Sequence, residues 1–231
     1  MLLTLVPAMG VTVIAAETWT TVTTYDELKA ALSTQNPPDN IKLGSDIDTG
    51  TLSSGMGILE SLEVRGKKQL DLNGHTLRMY SAKTAMSNMF MINHGSLTVL
   101  DSSSGQKGTI LGSTYNDSCY LINVHTYGQF TLNSGTLKVD AGSLRNDTRW
   151  KRVIHCYAGG NDWNQNEPRV KINGGTFEKK VMLNGPGDGT KPLTEINNGI
   201  FLDYVQAWVA ATAFSHPKWS STAVSSTRNF G

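Results

Sequence analysis

Apolar residues in this chain come in short alternating runs that stop at polar bends. In "LDLNGHTL" (70–77), Leu70, Leu72 and Leu77 are apolar, Asp71 is polar between the first two, and Asn73-Gly74 breaks the run. Period-two alternation predicts a half-buried strand, and Asn-Gly predicts a tight turn. No long partner strand follows to complete a hairpin. The same grammar returns in "GSLTVLDSSSGQKGTI" (95–110), "GQFTLNSGTLKVD" (128–140), "PRVKINGGTFEKK" (168–180) and "LTEINNGIFLDY" (193–204). The turn position is Asn73, Asn133, Asn173 and Asn197, with Asp101 there in a slipped unit; Gly74, Gly135, Gly174-Gly175 and Gly199 follow. A second short strand precedes several units: "MFMIN" (89–93), "YLIN" (120–123), "RVIHC" (152–156) and "VMLN" (181–184). Three of these end in Asn, and the other carries His155 in that place.

The unit recurs every 24 to 40 residues, as from Asn173 to Asn197 and from Asn133 to Asn173. Such a period with variable insertions predicts a β-solenoid. Its coils pair in parallel about 4.8 Å apart and bury their inner faces only by stacking. Asn tolerates the left-handed backbone, and a stacked amide bonds the amides above and below. Asn73, Asn133, Asn173 and Asn197 are therefore expected to form a ladder. The strands stop because each coil turns a corner. An antiparallel sandwich also has short strands, but it does not call for Asn at one phase of every unit.

Both ends depart from the pattern. "TTYDELKAALSTQN" (23–36) predicts an amphipathic helix, with Thr24 and Glu27 at capping-box spacing and Tyr25, Leu28 and Leu32 on one face. Placed before the first coil, it covers strand edges that an open solenoid exposes. "IKLGSDID" (41–48) reads as the first strand and "LEVRGK" (62–67) as part of the next coil. "YVQAWVAATAF" (204–214) predicts a short helix, with Tyr204 and Trp208 four apart, and the Ser/Thr-rich remainder reads as a flexible tail. The organisation is thus a leader (1–16), a β-helix with its cap helix (17–204) and a C-terminal segment (205–231).

The leader reading rests on "MLLTLVPAMGVTVIAAET", which is apolar over a signal-peptide length and ends in Ala15-Ala16. It lacks the usual basic residues ahead of the apolar core. Pro7 and Gly10 make it a poor spanning helix, and no later segment is long enough to cross a bilayer. A secreted or cell-surface location follows. Lys plus Arg number 20 against 19 for Asp plus Glu, and charged residues are 17% of the 231. That balance offers no field to gather nucleic acid. Cys119 and Cys156 are either one disulfide or two buried thiols, too few for a disulfide-built scaffold.

The cap followed by "LDLNGHTL", "GSLTVLDSSSG" and "VKINGGTF" resembles the right-handed parallel β-helix domains of the pectate-lyase-like superfamily. It is most like those in large secreted or surface proteins of Gram-positive bacteria. The resemblance covers roughly residues 20 to 205. It implies an all-β, right-handed parallel β-helix with a short N-terminal capping helix, but scaffold motifs do not specify an activity.

An enzyme of that superfamily needs clustered carboxylates: several to hold Ca²⁺ with an Arg as base in the lyases, or an acid–base set of Asp in the hydrolases. Five residues after each bend Asn stand Arg78, Lys138, Glu178 and Leu202, a mixed-charge outer column. Asp46 and Asp48 share a face near the cap and read as a solvated edge. His155 and Cys156 invite comparison with a nucleophile pair, but adjacent strand residues point to opposite faces. No catalytic residue and no metal ligand is assigned. Ca²⁺ enters only if the chain is a lyase.

The densest polar–aromatic surface is the pair of insertions "AGSLRNDTRWKR" (141–152) and "YAGGNDWNQNEP" (157–168) around the fourth coil. Arg149, Trp150, Tyr157, Asp162, Trp163 and Asn164 combine ring faces with fixed polar groups, which suits sugars. The reading is a non-catalytic adhesive or glycan-binding module, monomeric or part of a longer surface protein, with polysaccharide or glycoprotein glycan as partner. A polysaccharide lyase or glycoside hydrolase and a structural spacer are the alternatives.

Overall fold

A computed structural model describes residues 17–49, 60–81, 87–114, 119–125, 127–139, 151–157, 169–184, 194–203 and 205–208. After β1 (Thr20–Val22) and α1 (Tyr25–Ser33), the chain passes repeatedly through three strands that belong to three different sheets. The first pass is β2 (Asn40–Leu43), β3 (Ile47–Asp48) and β4 (Leu62–Glu63). The second is β5 (Lys67–Asp71), β6 (Thr76–Ser81) and β7 (Ser87–Ile92), and the third β8 (Ser96–Leu100), β9 (Thr109–Thr114) and β10 (Cys119–His125). Then come β11 (Gln129–Leu132), β12 (Thr136–Val139) and β13 (Lys151–Tyr157), followed by β14 (Val170–Ile172), β15 (Thr176–Phe177) and β16 (Lys180–Asn184). The last is β17 (Thr194–Ile196), β18 (Ile200–Phe201) and β19 (Val205–Trp208).

Sheet A runs β1-β2-β5-β8-β11-β14-β17, sheet B from β3 to β18, and sheet C from β4 to β19, with every neighbouring pair parallel. The chain is an all-β parallel solenoid with one short helix near its start, as the alternation and the resemblance led us to expect.

Period two is what builds the core. Ile41, Leu70, Val99, Leu132, Ile172 and Ile196 stand level on successive strands of sheet A. Ile47, Leu77, Ile110, Leu137, Phe177 and Phe201 do so in sheet B. Leu62, Phe90, Ile122, Ile154, Val181 and Val205 do so in sheet C. None of these is more than 5% exposed. Each buried side chain of this kind contributes roughly 1.5–3 kcal/mol, and only when its neighbours above and below are in place.

Thr24 caps α1, its hydroxyl accepting from Glu27 N while Glu27 reaches back to Thr24 N. Leu28, Ala31 and Leu32 face the core, with Tyr25 packed against it, and the helix lies against β4. Pro37 and Pro38 prevent its continuation. The buried Lys68 ammonium holds the exit segment by donating to Asn36 O (2.9 Å) and Pro38 O (3.0 Å). β1 is an element the sequence reading missed; three residues are too few to show alternation.

Where a helix was expected over 204–214, Val205–Trp208 is instead strand β19, level with Val181–Asn184 of β16. Tyr204 and Trp208 are indeed four apart, but Val205 continues an inner column, and coil stacking outweighs local helical spacing. The β-helix therefore runs past residue 204. The expected leader (1–16) and the tail beyond 208 lie outside the described residues.

The bends between sheets A and B carry the polar side chains picked out in the sequence. Asn173 Nδ2 donates to Asn133 Oδ1 (2.8 Å), and Asn197 Nδ2 to Asn173 Oδ1 (2.9 Å). Asn73 is not level with them. Asp71 pairs with Leu100, which places Asp71 and not Asn73 at the height of Asn133. Asn73 keeps its phase only when counted back from β6, because its bend is longer. Asn73 (φ 49°) and Gly74 (φ 80°) are both left-handed there, and Asn73 Nδ2 donates to Leu43 O (3.1 Å).

Buried carboxylates hold the two longer bends. Asp71 accepts from Ser102 Oγ (2.7 Å), Ser102 N (2.9 Å), Asn73 N (2.9 Å) and Lys42 Nζ (3.2 Å). Burial pushes its pKa up, but the Ser102 hydroxyl and the N–H groups outweigh burial and hold it below the ordinary carboxylate value. Asp101 accepts from Gly74 N (2.8 Å), Ser103 N (3.1 Å) and Gly108 N.

Candidate functional site

Sheet C carries the densest chemistry among the described residues. Its strands do not alternate strictly. Leu121 and Ile122 are successive and both lie in the core, as do Met89 and Phe90, and Val153 and Ile154. The alternation slips by one residue at each pair, leaving Tyr120, Asn123, Arg152 and His155 outside the core cluster. Asn123 stands level with Met91 and with His155, and Tyr120 with Arg152.

Together these side chains form a compact cluster. The His155 ring stacks on Tyr120 with centroids 4.2 Å apart, and its Nδ1 lies 3.1 Å from Asn123 Oδ1. Arg152 sits over the Tyr120 ring at 5.0 Å and donates to its hydroxyl at 3.2 Å. Asn123 Nδ2 reaches Met91 Sδ at 3.8 Å. Tyr120, Asn123 and Arg152 are buried, and His155 is half-buried.

The grouping that placed His155 at the end of its strand, in phase with Asn93, Asn123 and Asn184, holds only for Asn123. The register sets His155 beside Asn123 and Met182, two positions before Tyr157, which is level with His125 and Asn184. His155 is thus a mid-strand residue.

Burial first, then the Arg152 and His125 charges, holds the His155 imidazole down at about pKa 4. The unfolded chain protonates near the ordinary value of about 6.5, while the folded chain resists until about 4. The stability from a neutral His155 is complete above about pH 6.5 and is lost as pH falls through 4. Discounted for solvent at the half-buried ring, the loss is about 1–2 kcal/mol. His155→Asn should therefore flatten the drop in melting temperature between pH 7 and pH 4.5 by several degrees. Parallel melts of the two chains would check this; equal slopes would contradict it.

Cys156 does point inward, away from His155, and is free. Burial raises its thiol to about 11 against an opposing pull from Arg169, so it is no ready nucleophile. The open question of a disulfide is also settled. Cys119 is level with Lys151 and Cys156 with Val124, five positions apart along neighbouring strands. At about 3.3 Å per residue that separation is far beyond disulfide reach.

Outer carboxylates occur in ion pairs with basic groups. Asp48 meets Arg78 (3.5 Å), Glu178 meets Lys138 (2.8 Å), and Glu195 meets Lys171 (3.0 Å). Asp46 Oδ1 accepts from Thr76 N (2.8 Å) and lies 3.3 Å from His75 Nδ1. Among the described residues no group of three or more His, Cys, Asp or Glu side chains is placed to hold a metal ion.

A cavity of about 360 Å³ opens at the α1 end of the same face, lined by Gln35, Glu63, Arg65, Met91, Asn93 and His94. Glu63 and Arg65 pair across it at 3.0 Å. The His94 and exposed Tyr127 rings lie beside it, 5.4 Å apart and tilted by 44°. Neither ring was singled out in the sequence: His94 lies in a bend, and the lone ring of Tyr127 in "HTYG" gave no periodic signal. Of the residues expected to bind, Arg149, Trp150, Asp162, Trp163 and Asn164 lie outside the described residues. Tyr157 closes β13, and only its backbone is described.

A family model described as "Putative pectate lyase-like adhesive domain" matches residues 19–140, just over half of the 231. The match runs from the residue before β1 to the residue after β12. No curated protein and no solved structure matches the chain.

Proposed function

The chain belongs to the pectate lyase-like adhesive domain family, and from that premise we propose that it is a non-catalytic module, exported to the cell surface, that adheres by binding glycans. The contact surface is the outer face of sheet C together with the insertions on either side of β13. The observation that carries this reading is the meeting, on that face, of the His94–Tyr127 rings with a cavity rimmed by Glu63, Arg65 and Asn93. A sugar needs an apolar ring face and fixed polar partners for its hydroxyls, and this surface offers both. The pairing of outer carboxylates with lysine and arginine supports binding over hydrolysis, because acid–base chemistry on a glycosidic bond uses two carboxylates facing one another. No helix among the described residues is long and apolar enough to cross a membrane. The apolar N-terminus supports export.

The test is adhesion of the purified chain to immobilised plant, microbial and host polysaccharides, with product release followed in parallel. Binding without new reducing ends or unsaturated uronate is expected. Tyr127→Ala and Trp163→Ala should each weaken binding about tenfold, the loss typical of an aromatic anchor. Product from any polymer would make the chain an enzyme. Absence of binding to every polymer would leave a spacer.

A further inference from the structure

A second groove lies on the outside of the bend between sheets A and B, away from the sheet C face. It has a volume of about 410 Å³ and extends from the β11–β12 bend to the β17–β18 bend, with Gln106 from the longer preceding bend at its rim. Asn133, Asn173, Thr136, Thr176 and Asn198 supply its polar groups, and among the described residues no charged side chain lines it. The glycines in its floor are explained by the turn: Gly135 and Gly175 have φ of 96° and 92°, and a Cβ on Gly175 would meet Leu132 Cδ2 at 2.6 Å. They do not argue for a ligand; the side chains beside them do.

Thr136 and Thr176 are level on β12 and β15. Their hydroxyls are without a hydrogen-bond partner among the described residues. Asn173 donates one amide hydrogen and accepts one bond in the amide stack. A carboxamide has two hydrogens and two lone pairs, so half of its capacity remains. Amide and hydroxyl thus recur in two rows on the coils of β12 and β15, at the coil spacing of about 4.8 Å; on the next coil Ile200 is level with Thr176, and Asn198 adds an amide. A ligand that uses both rows must be extended, rich in hydroxyls and repeat at about that interval. A polyuronate would give up hydration without meeting a counter-charge.

We propose that this groove is a binding track for a strand of neutral, extended glycan laid along the solenoid axis. Among the described residues it has no aromatic platform, so a single site is weak, and an adhesive protein gains through many simultaneous contacts. The track is independent of the sheet C surface.

Calorimetric titration of the full chain with neutral hexasaccharides of β-linked glucose, xylose and N-acetylglucosamine, and with hexagalacturonate, tests this. At least one neutral hexasaccharide should bind the chain. In Thr136→Val/Thr176→Val, which keeps the β-branched shape, its affinity should fall about tenfold, as loss of two neutral hydrogen bonds predicts. Asn198→Ala, on an exposed bend, should weaken it in the same direction. Thermal melts verify that each variant is folded. The proposal is overturned if no neutral hexasaccharide binds, or if binding survives the double substitution. Binding lost in Tyr127→Ala but kept in the threonine variant would leave the sheet C face as the sole site.

Discussion

Asp101→Ala is expected to lower the melting temperature by about 10 °C. Asp101 is 4% exposed and its carboxylate accepts from Gly74 N, Ser103 N and Gly108 N. The first of these donors belongs to the preceding coil and the other two to its own bend, so one side chain joins two levels of the solenoid. Alanine would strand the donors where water replaces the carboxylate poorly. A buried donor left without its acceptor costs about 1–3 kcal/mol, so a total near 3–5 kcal/mol is reasonable for three. In a domain of this size each kcal/mol shifts the midpoint by about 2–4 °C. Asp101→Asn should cost less, since its remaining oxygen still serves Gly74 and Ser103. Calorimetric melts of both variants at neutral pH decide it, and an unchanged midpoint for the alanine form would show that these bonds carry no net stability.

Gly128→Ala should be nearly as damaging, for a steric reason. A Cβ there would lie 1.9 Å from Ile92 O and 2.6 Å from Ile92 C. Both atoms are backbone, so no rotamer change relieves the clash. The end of β7 would have to move, and Ile92 is level with Val124 in the next coil. Gly128 O also accepts from the buried Arg169 Nε at 3.4 Å. Overpacking against a fixed neighbour costs about 1–3 kcal/mol and sometimes more, and this case belongs at the upper end. A fall of roughly 8–10 °C is expected. Gly105→Ala serves as the control, because a Cβ there would meet only the movable Lys107 side chain, nearest at 3.2 Å. Equal melting of the two variants would refute the argument.

The position of Gly128 shows what a closer reading of the sequence could have found. Gly66, Gly95 and Gly128 each stand one residue before the paired start of a sheet A strand, and Lys67, Ser96 and Gln129 are level. They form a second recurring signal at the corner between sheets C and A. The Asn-Gly signal is the more conspicuous because it interrupts an alternating run, whereas these glycines sit at the edge of one. Tyr127, beside that corner, had no such pattern to reveal it. Its contact with His94 exists only because consecutive coils bring their corners together.

The sequence by itself determined the unit of this fold. Alternation marks which side chains face inward, as with Leu70, Leu132 and Ile172, because the strand period is two wherever the strand lies. Asn and Gly mark the corners because few residues accept the left-handed backbone, and Thr24 with Glu27 marks the helix start through bonds that are wholly local. Only the tertiary structure decided the levels. Coils of unequal length stack so that Asp71 stands at the height of Asn133, His155 beside Asn123, and Cys119 five positions from Cys156. The slips at Leu121–Ile122 and Val153–Ile154 also decide which side chains reach the outer face of sheet C. Val205–Trp208 is strand for the same reason: an inner column accepts its apolar residues, and that column exists only once the coils beneath it have formed.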